Sequence, residues 1–189
     1  MTLGRFGGSA PVLAGTSAYT GSPESGPDGL EQSKERRTGN PGDLTVGYRD
    51  VSVRVFNSAA ISISNNTDTA LTFDSERWDT DAMHSTSANT GRLTVVTAGK
   101  YLVFGTLQYA NSALGDRAVI IRLNGATVIA RQRTPATITK NHDFMVAAHY
   151  DLAVGDYVEL MASQDSGGAL DVAAEGNNSP EFGMIRMPT

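Results

Sequence analysis

The sequence contains no cysteine, so no disulfide framework staples it and no thiolate serves as nucleophile or metal ligand. Positive charge is short. Fifteen Lys and Arg face 20 Asp and Glu, for a net charge of −5 spread thinly along the chain. General nucleic-acid binding needs a basic stripe and is excluded as an expectation. No run approaches the ~18 apolar residues of a membrane span. The early apolar segment Ala10-Pro11-Val12-Leu13-Ala14-Gly15 is too short for a signal-peptide core. A soluble chain made without Sec export is the expectation, with no membrane partner. Neither a Gly-x-Ser-x-Gly elbow nor a His-Glu-x-x-His pair occurs. Long helical runs are few.

What the chain has is Gly (20 residues), Thr, Ser, Val and Ala, the composition of an all-β protein. Its organising stretch runs from Asn89 to Phe104. In Gly91 to Val95, Leu93 and Val95 share one face while Arg92 and Thr94 share the other. After Ala98-Gly99 comes Tyr101-Leu102-Val103-Phe104, apolar on both faces. A strand buried on one face alternates, and one buried on both does not. The second strand, running to about Tyr109, is therefore expected in the middle of a sheet with both faces covered.

Residues 1–43 differ from the rest. They hold Pro11, Pro23, Pro27 and Pro41, many Gly and Ser, and few apolar residues. Such a segment cannot bury enough apolar surface to fold alone. It is read as an extended anchoring arm laid over neighbouring subunits, with Leu3, Phe6, Leu13 and Tyr19 as anchors. From residue 44 a β domain is expected to run to 189. Val51, Val53 and Val55 alternate with Ser52, Arg54 and Phe56, an edge-like first strand. Short strands follow at 60–64 and 70–74, separated by the turn cluster Asn65-Asn66-Thr67-Asp68. Glu76 to Ala88 reads as a polar loop holding Trp78. Arg117 to Leu123, Asn124-Gly125 and Ala126 to Arg131 form the clearest hairpin, because Asn-Gly favours a type I′ turn. Strands are expected over His142 to Leu152, Tyr157 to Met161, Ala169 to Val172 and Glu181 to Met187. Eight to ten short strands without βαβ alternation predict two packed antiparallel sheets, a jelly-roll sandwich.

The order Phe73-Asp74, Asn89-Thr90-Gly91-Arg92-Leu93-Thr94 and Ala98-Gly99-Lys100-Tyr101-Leu102-Val103 resembles the globular head of the complement recognition subunit and its tumour-necrosis-factor-like relatives. Leu152-Ala153-Val154-Gly155-Asp156-Tyr157-Val158-Glu159-Leu160 is similar to that family's L-x-x-G-D-x-V-x-L. Closing Phe182-Gly183-Met184-Ile185 is similar to its last strand, with the small residue displaced. Leu93, Thr97 and Val103 replace an aromatic, a proline and an aromatic of the family pattern. The likeness covers about residues 50–187. It implies a ten-stranded jelly roll that assembles as a compact homotrimer. It does not imply an immune role, since the fold also serves in bacterial and phage proteins.

The residues support that assembly separately. Tyr101 and Val103 would face the core, leaving Leu102 and Phe104 outward, where a monomer exposes them. Such patches mark interfaces, and a three-fold axis would cover them in every copy. Leu102 and Phe104 are thus the candidate trimer contacts. No catalytic set emerges. His84 lies in a loop, and His142 and His149, seven apart on one strand, face opposite sides. Trp78, Asp79 and Asp81 form a candidate ligand-binding loop. Glu76 with Asp79 and Asp81 offers carboxylates for calcium but lacks the Asp-x-Asp-x-Asp-Gly spacing, so no metal or other cofactor is expected. Arg117, Arg122, Arg131 and Arg133 read as a solvated strand face rather than an anion patch. Met184 and Met187 read as core or interface filler. The expectation is a non-enzymatic virion protein assembled in the host cytoplasm: a capsid-decoration, head-fibre or tail-associated trimer. A receptor- or glycan-binding module is the alternative.

Overall fold

The computed structural model describes residues 49–136 and 140–188. They belong to a compact unit spanning Tyr48–Thr189. The anchoring arm, with Leu3, Phe6, Leu13 and Tyr19, and the expected boundary at 43/44 lie outside the described residues.

Twelve strands make up the described fold. They are β1 (Ser52–Phe56), β2 (Ile61–Ile63), β3 (Thr69–Ala70), β4 (Ser75–Asp79), β5 (Arg92–Thr94), β6 (Gly99–Tyr109), β7 (Asp116–Leu123), β8 (Thr127–Pro135), β9 (His142–Leu152), β10 (Tyr157–Gln164), β11 (Leu170–Val172) and β12 (Glu181–Arg186). The first sheet has seven strands in the order β2-β11-β6-β12-β1-β4, with β9 on the other edge of β6. The second has five in the order β3-β10-β7-β8, with β5 also on β10. All pairings are antiparallel. The chain is an all-β jelly-roll sandwich.

The alternation expected of a packed sandwich holds along the long strands. Tyr101, Val103, Leu107 and Tyr109 of β6, Phe144 and Val146 of β9, and Phe182 and Met184 of β12 are buried from one sheet. Val119, Ile121, Val158 and Leu160 meet them from the other. The rings of Phe73 and Phe182 stack with centroids 5.8 Å apart. Central β6 is paired along both edges, by β9 on one and by β12 and β11 on the other.

Asn124 (φ 51°) and Gly125 (φ 71°) both take left-handed angles between β7 and β8, as a type I′ turn requires. This turn is tied to the turn before β10. Asn124 Nδ2 donates to Asp156 Oδ1 and Ala153 N donates to Asp156 Oδ2, each at 2.8 Å. Those bonds, the one from Asn124 first, hold the Asp156 carboxyl below the ordinary carboxylate pKa. Its stabilising effect is therefore present above the unfolded-state pKa and is lost as pH falls through the folded value. A carboxyl-detected NMR titration should place Asp156 below exposed aspartates, and Asn124→Ala should bring it back towards them.

Four local features differ from the sequence reading. Strand β1 is interior, between β12 and β4, so the edge belongs to β4. Trp78 lies on β4, not in a loop. Leu71 and Phe73 are buried side by side as expected, yet only Thr69–Ala70 is strand. Their backbones diverge because Leu71 N donates to Leu160 O while Phe73 N donates to Thr90 O. The strand count exceeds eight to ten because these short pieces pair separately.

Candidate functional site

The outward face of the first sheet follows from register. Along β6 the outward residues are Lys100, Leu102, Phe104, Thr106 and Gln108. Opposite them on β9 stand Asp151, His149, Ala147, Met145 and Asp143. On β12, Ile185 lies beside Leu102 and Gly183 beside Phe104. Leu102 is 38% exposed and Met145 66%. Tyr101 and Val103 are fully buried on the inner side. The expected inward and outward split of β6 is thus what the structure has, with Phe104 partly covered.

The cause of that partial cover is Gly183. A Cβ there would stand 2.6 Å from Phe104 Cζ and 2.7 Å from Val53 O. The tip of the Phe104 ring occupies the space over the glycine, where no side chain intervenes. Beyond the ring a groove of about 450 Å³ opens, lined among others by Phe104, Ile185, Ser52 and Trp78. Trp78 Nε1 donates to Ser52 Oγ at 3.1 Å, which fixes the indole against the groove.

A polar rim borders this apolar centre. Glu181, 2% exposed, accepts from Arg54 Nε at 2.6 Å and Arg77 Nη2 at 2.8 Å. Arg77 also lies 3.8 Å over the Phe56 ring. At the far end Gln108 Nε2 donates to Asp143 Oδ1 at 2.8 Å. An apolar centre depleted of charge inside a polar rim is the anatomy of a protein interface.

The other candidate residues are placed differently. Trp78 and Asp79 alternate on β4, so they do not share a face. Asp79 is used locally, Oδ1 accepting from Asp81 N at 3.1 Å and Oδ2 from His84 N at 2.8 Å. Asp81 Oδ1 accepts from Arg49 Nη2 at 2.9 Å, and its buried Oδ2 has no partner among the described residues. Glu76 Oε1 lies 2.9 Å from His84 Nδ1. Among the described residues no three His, Cys, Asp or Glu are gathered as metal ligands. His142 and His149 do face opposite sides of β9.

Arg131 and Arg133 are exposed on β8, as a solvated strand face requires, whereas Arg117 is buried. Arg117 shares the inward face of β7 with the core residues Val119 and Ile121 and is 1% exposed. Its guanidinium donates to Leu114 O at 2.8 Å and Asp116 O at 2.9 Å, above the Tyr109 ring. Burial pushes the Tyr109 phenol pKa well above its ordinary value. Arg122 pairs with Asp68 at 2.9 Å and Arg133 with Asp116 at 3.5 Å. Met184 is core and Met187 is 38% exposed. The Arg54–Glu181–Arg77 unit escapes sequence reasoning, since Glu181 lies over 100 residues from both arginines. Phe56 two residues after Arg54 and Trp78 next to Arg77 are the local signals the sequence offers.

No family model matches the chain, and no curated protein matches it. Solved structures do. The Eiger TNF of S. frugiperda is 17% identical with a TM-score of 0.54, over 74% of this chain and 93% of that one. Murine APRIL at pH 8.5 is 10% identical with a TM-score of 0.57, over 74% of this chain and 100% of that one. At these identities the likeness is one of fold: a jelly roll like those of the TNF proteins.

Proposed function

We propose that the chain is a non-enzymatic structural subunit that works as a homotrimer within a virion, as a capsid-decoration, head-fibre or tail-associated protein. The observation that carries the proposal is the apolar column of Leu102, Phe104 and Ile185 with Met145 beside it, exposed or half-buried and ringed by polar pairs of the described residues. A three-fold arrangement covers that column in each copy without leaving an open end. The thin, net negative charge supports protein partners over nucleic acid. Among the described residues no helix is long and apolar enough to cross a membrane. Assembly in the host cytoplasm is part of the same proposal.

Residues 1–43, with Leu3, Phe6, Leu13 and Tyr19, are assigned the anchoring role. Three arms on one trimer gain avidity without large individual contacts. Deleting 1–43 should leave a folded trimer that no longer joins its particle. Normal incorporation of the shortened protein would remove the arm from the account.

A receptor- or glycan-binding head is the second reading. It draws on Trp78, which is 45% exposed at the groove. Carbohydrate or cell binding that disappears in Trp78→Ala would favour it over a purely structural role.

A further inference from the structure

A self-complementary patch closes on two copies, whereas a ring of three joins one patch of each subunit to a different patch of the next. The outward face of the first sheet carries two such unlike patches on its two sides. Strand β9 lies at one side and β4 at the other, with β6, β12 and β1 between them. On the β9 side Met145 stands out at 66% exposure. On the β4 side the groove of about 450 Å³ is open, its lining running from Phe104 on β6 through Ile185 on β12 and Ser52 on β1 to Trp78 on β4. One side offers an apolar knob and the other an apolar hole.

Charge follows the same division. Asp143 shares the outward face of β9 with Met145, two residues away. It accepts from Gln108 Nε2 at 2.8 Å, a neutral amide that leaves its charge unmatched. Arg54 is the cross-strand partner of Trp78, with its guanidinium 5.9 Å from the indole centroid. Arg54 and Arg77 share the single carboxylate of Glu181, so this unit holds one positive charge in excess. A β9 strand laid with Met145 beside Trp78 brings Asp143, about 7 Å further along, to the arginine unit.

We infer that Met145 of each subunit enters the Trp78 groove of the next, with Asp143 set against the Arg54–Arg77 unit. The inference rests on the homotrimer reading and names its contact. Methionine suits the hole, since its flexible thioether fills irregular gaps and packs well against an aromatic ring. Trp78 Nε1 already donates to Ser52 Oγ, so the indole presents an apolar surface to its occupant. A groove filled by the neighbouring copy also leaves Trp78 closed to a glycan, which sets this contact against the second reading of that residue.

Trp78 is the chain's one tryptophan, so fluorescence of the full-length protein reports this groove alone. Acrylamide quenching should rise roughly twofold from wild type to Met145→Ala, as an indole 45% exposed in the single chain is released from an interface core. The chain has no cysteine, so a variant carrying Met145→Cys and Trp78→Cys forms only the bridges placed in it. Within one subunit these positions are four strand spacings apart, about 19 Å, beyond the roughly 7 Å Cα limit of a disulfide. Oxidation should therefore yield covalent trimers on a denaturing gel, and Met145→Cys alone should yield no bridge. A wild-type protein of trimer mass whose quenching is unchanged by Met145→Ala overturns the inference and leaves the trimer standing. Covalent dimers from Met145→Cys alone overturn it too, since they place Met145 against its own copy. A wild-type protein that is a single chain in solution removes the inference and the trimer reading together.

Discussion

Replacing Leu102 by Asp should turn a trimer into single folded chains. Leu102 is 38% exposed in one subunit, so its loss costs the isolated fold little. In the proposed trimer the three copies would come together on the apolar face. Three carboxylates would then be brought together on the apolar face, each beside Ile185 of its own subunit. Removing a charge from water without a partner costs several kcal/mol. The three-fold repeat multiplies that cost, so association should disappear at micromolar protein. Met145→Asp, on the neighbouring strand, should act in the same direction. Val128→Asp is the control, because Val128 is 42% exposed on β8 of the other sheet and should leave the mass unchanged. Light scattering behind size exclusion reads all three. A Leu102→Asp protein that keeps the wild-type mass would put the interface elsewhere.

Gly183→Val should be strongly destabilising. Its Cβ would lie 2.6 Å from Phe104 Cζ and 2.7 Å from Val53 O. One neighbour is backbone held in the β1–β12 ladder, so it cannot swing aside. The other is a ring with β12 beneath it. Valine suits a strand better than glycine, but overpacking of this kind costs about 3 kcal/mol. For a chain of this length that corresponds to a fall in Tm of roughly 6–12 °C. Gly183→Ala should fall part of the way. An unchanged Tm in the valine variant would mean that Phe104 does not rest on Gly183.

These positions also show what the sequence could and could not reveal. The limits of β9, the I′ turn at Asn124-Gly125 and the inward and outward sides of β6 are all legible, because period-two alternation and turn chemistry are local. Trp78 is not. Ser75-Glu76-Arg77-Trp78-Asp79 is an edge strand with polar residues on both faces, so it lacks an apolar stripe. Strand β1 resembles an edge because Arg54 reads as solvated, whereas its charge is matched by Glu181 at the far end of the chain. Arg117 has a local signal, its place at period two with Val119 and Ile121 on one face of the strand. An inward arginine makes sense only once the Leu114 and Asp116 carbonyls are seen to receive it.

Sedimentation equilibrium of the purified full chain tests the central claim most directly. A mass of three times the 19.9 kDa subunit, held across dilution at micromolar protein, is the result expected if the outward column of β6 is a subunit contact. A stable species of 19.9 kDa would contradict it.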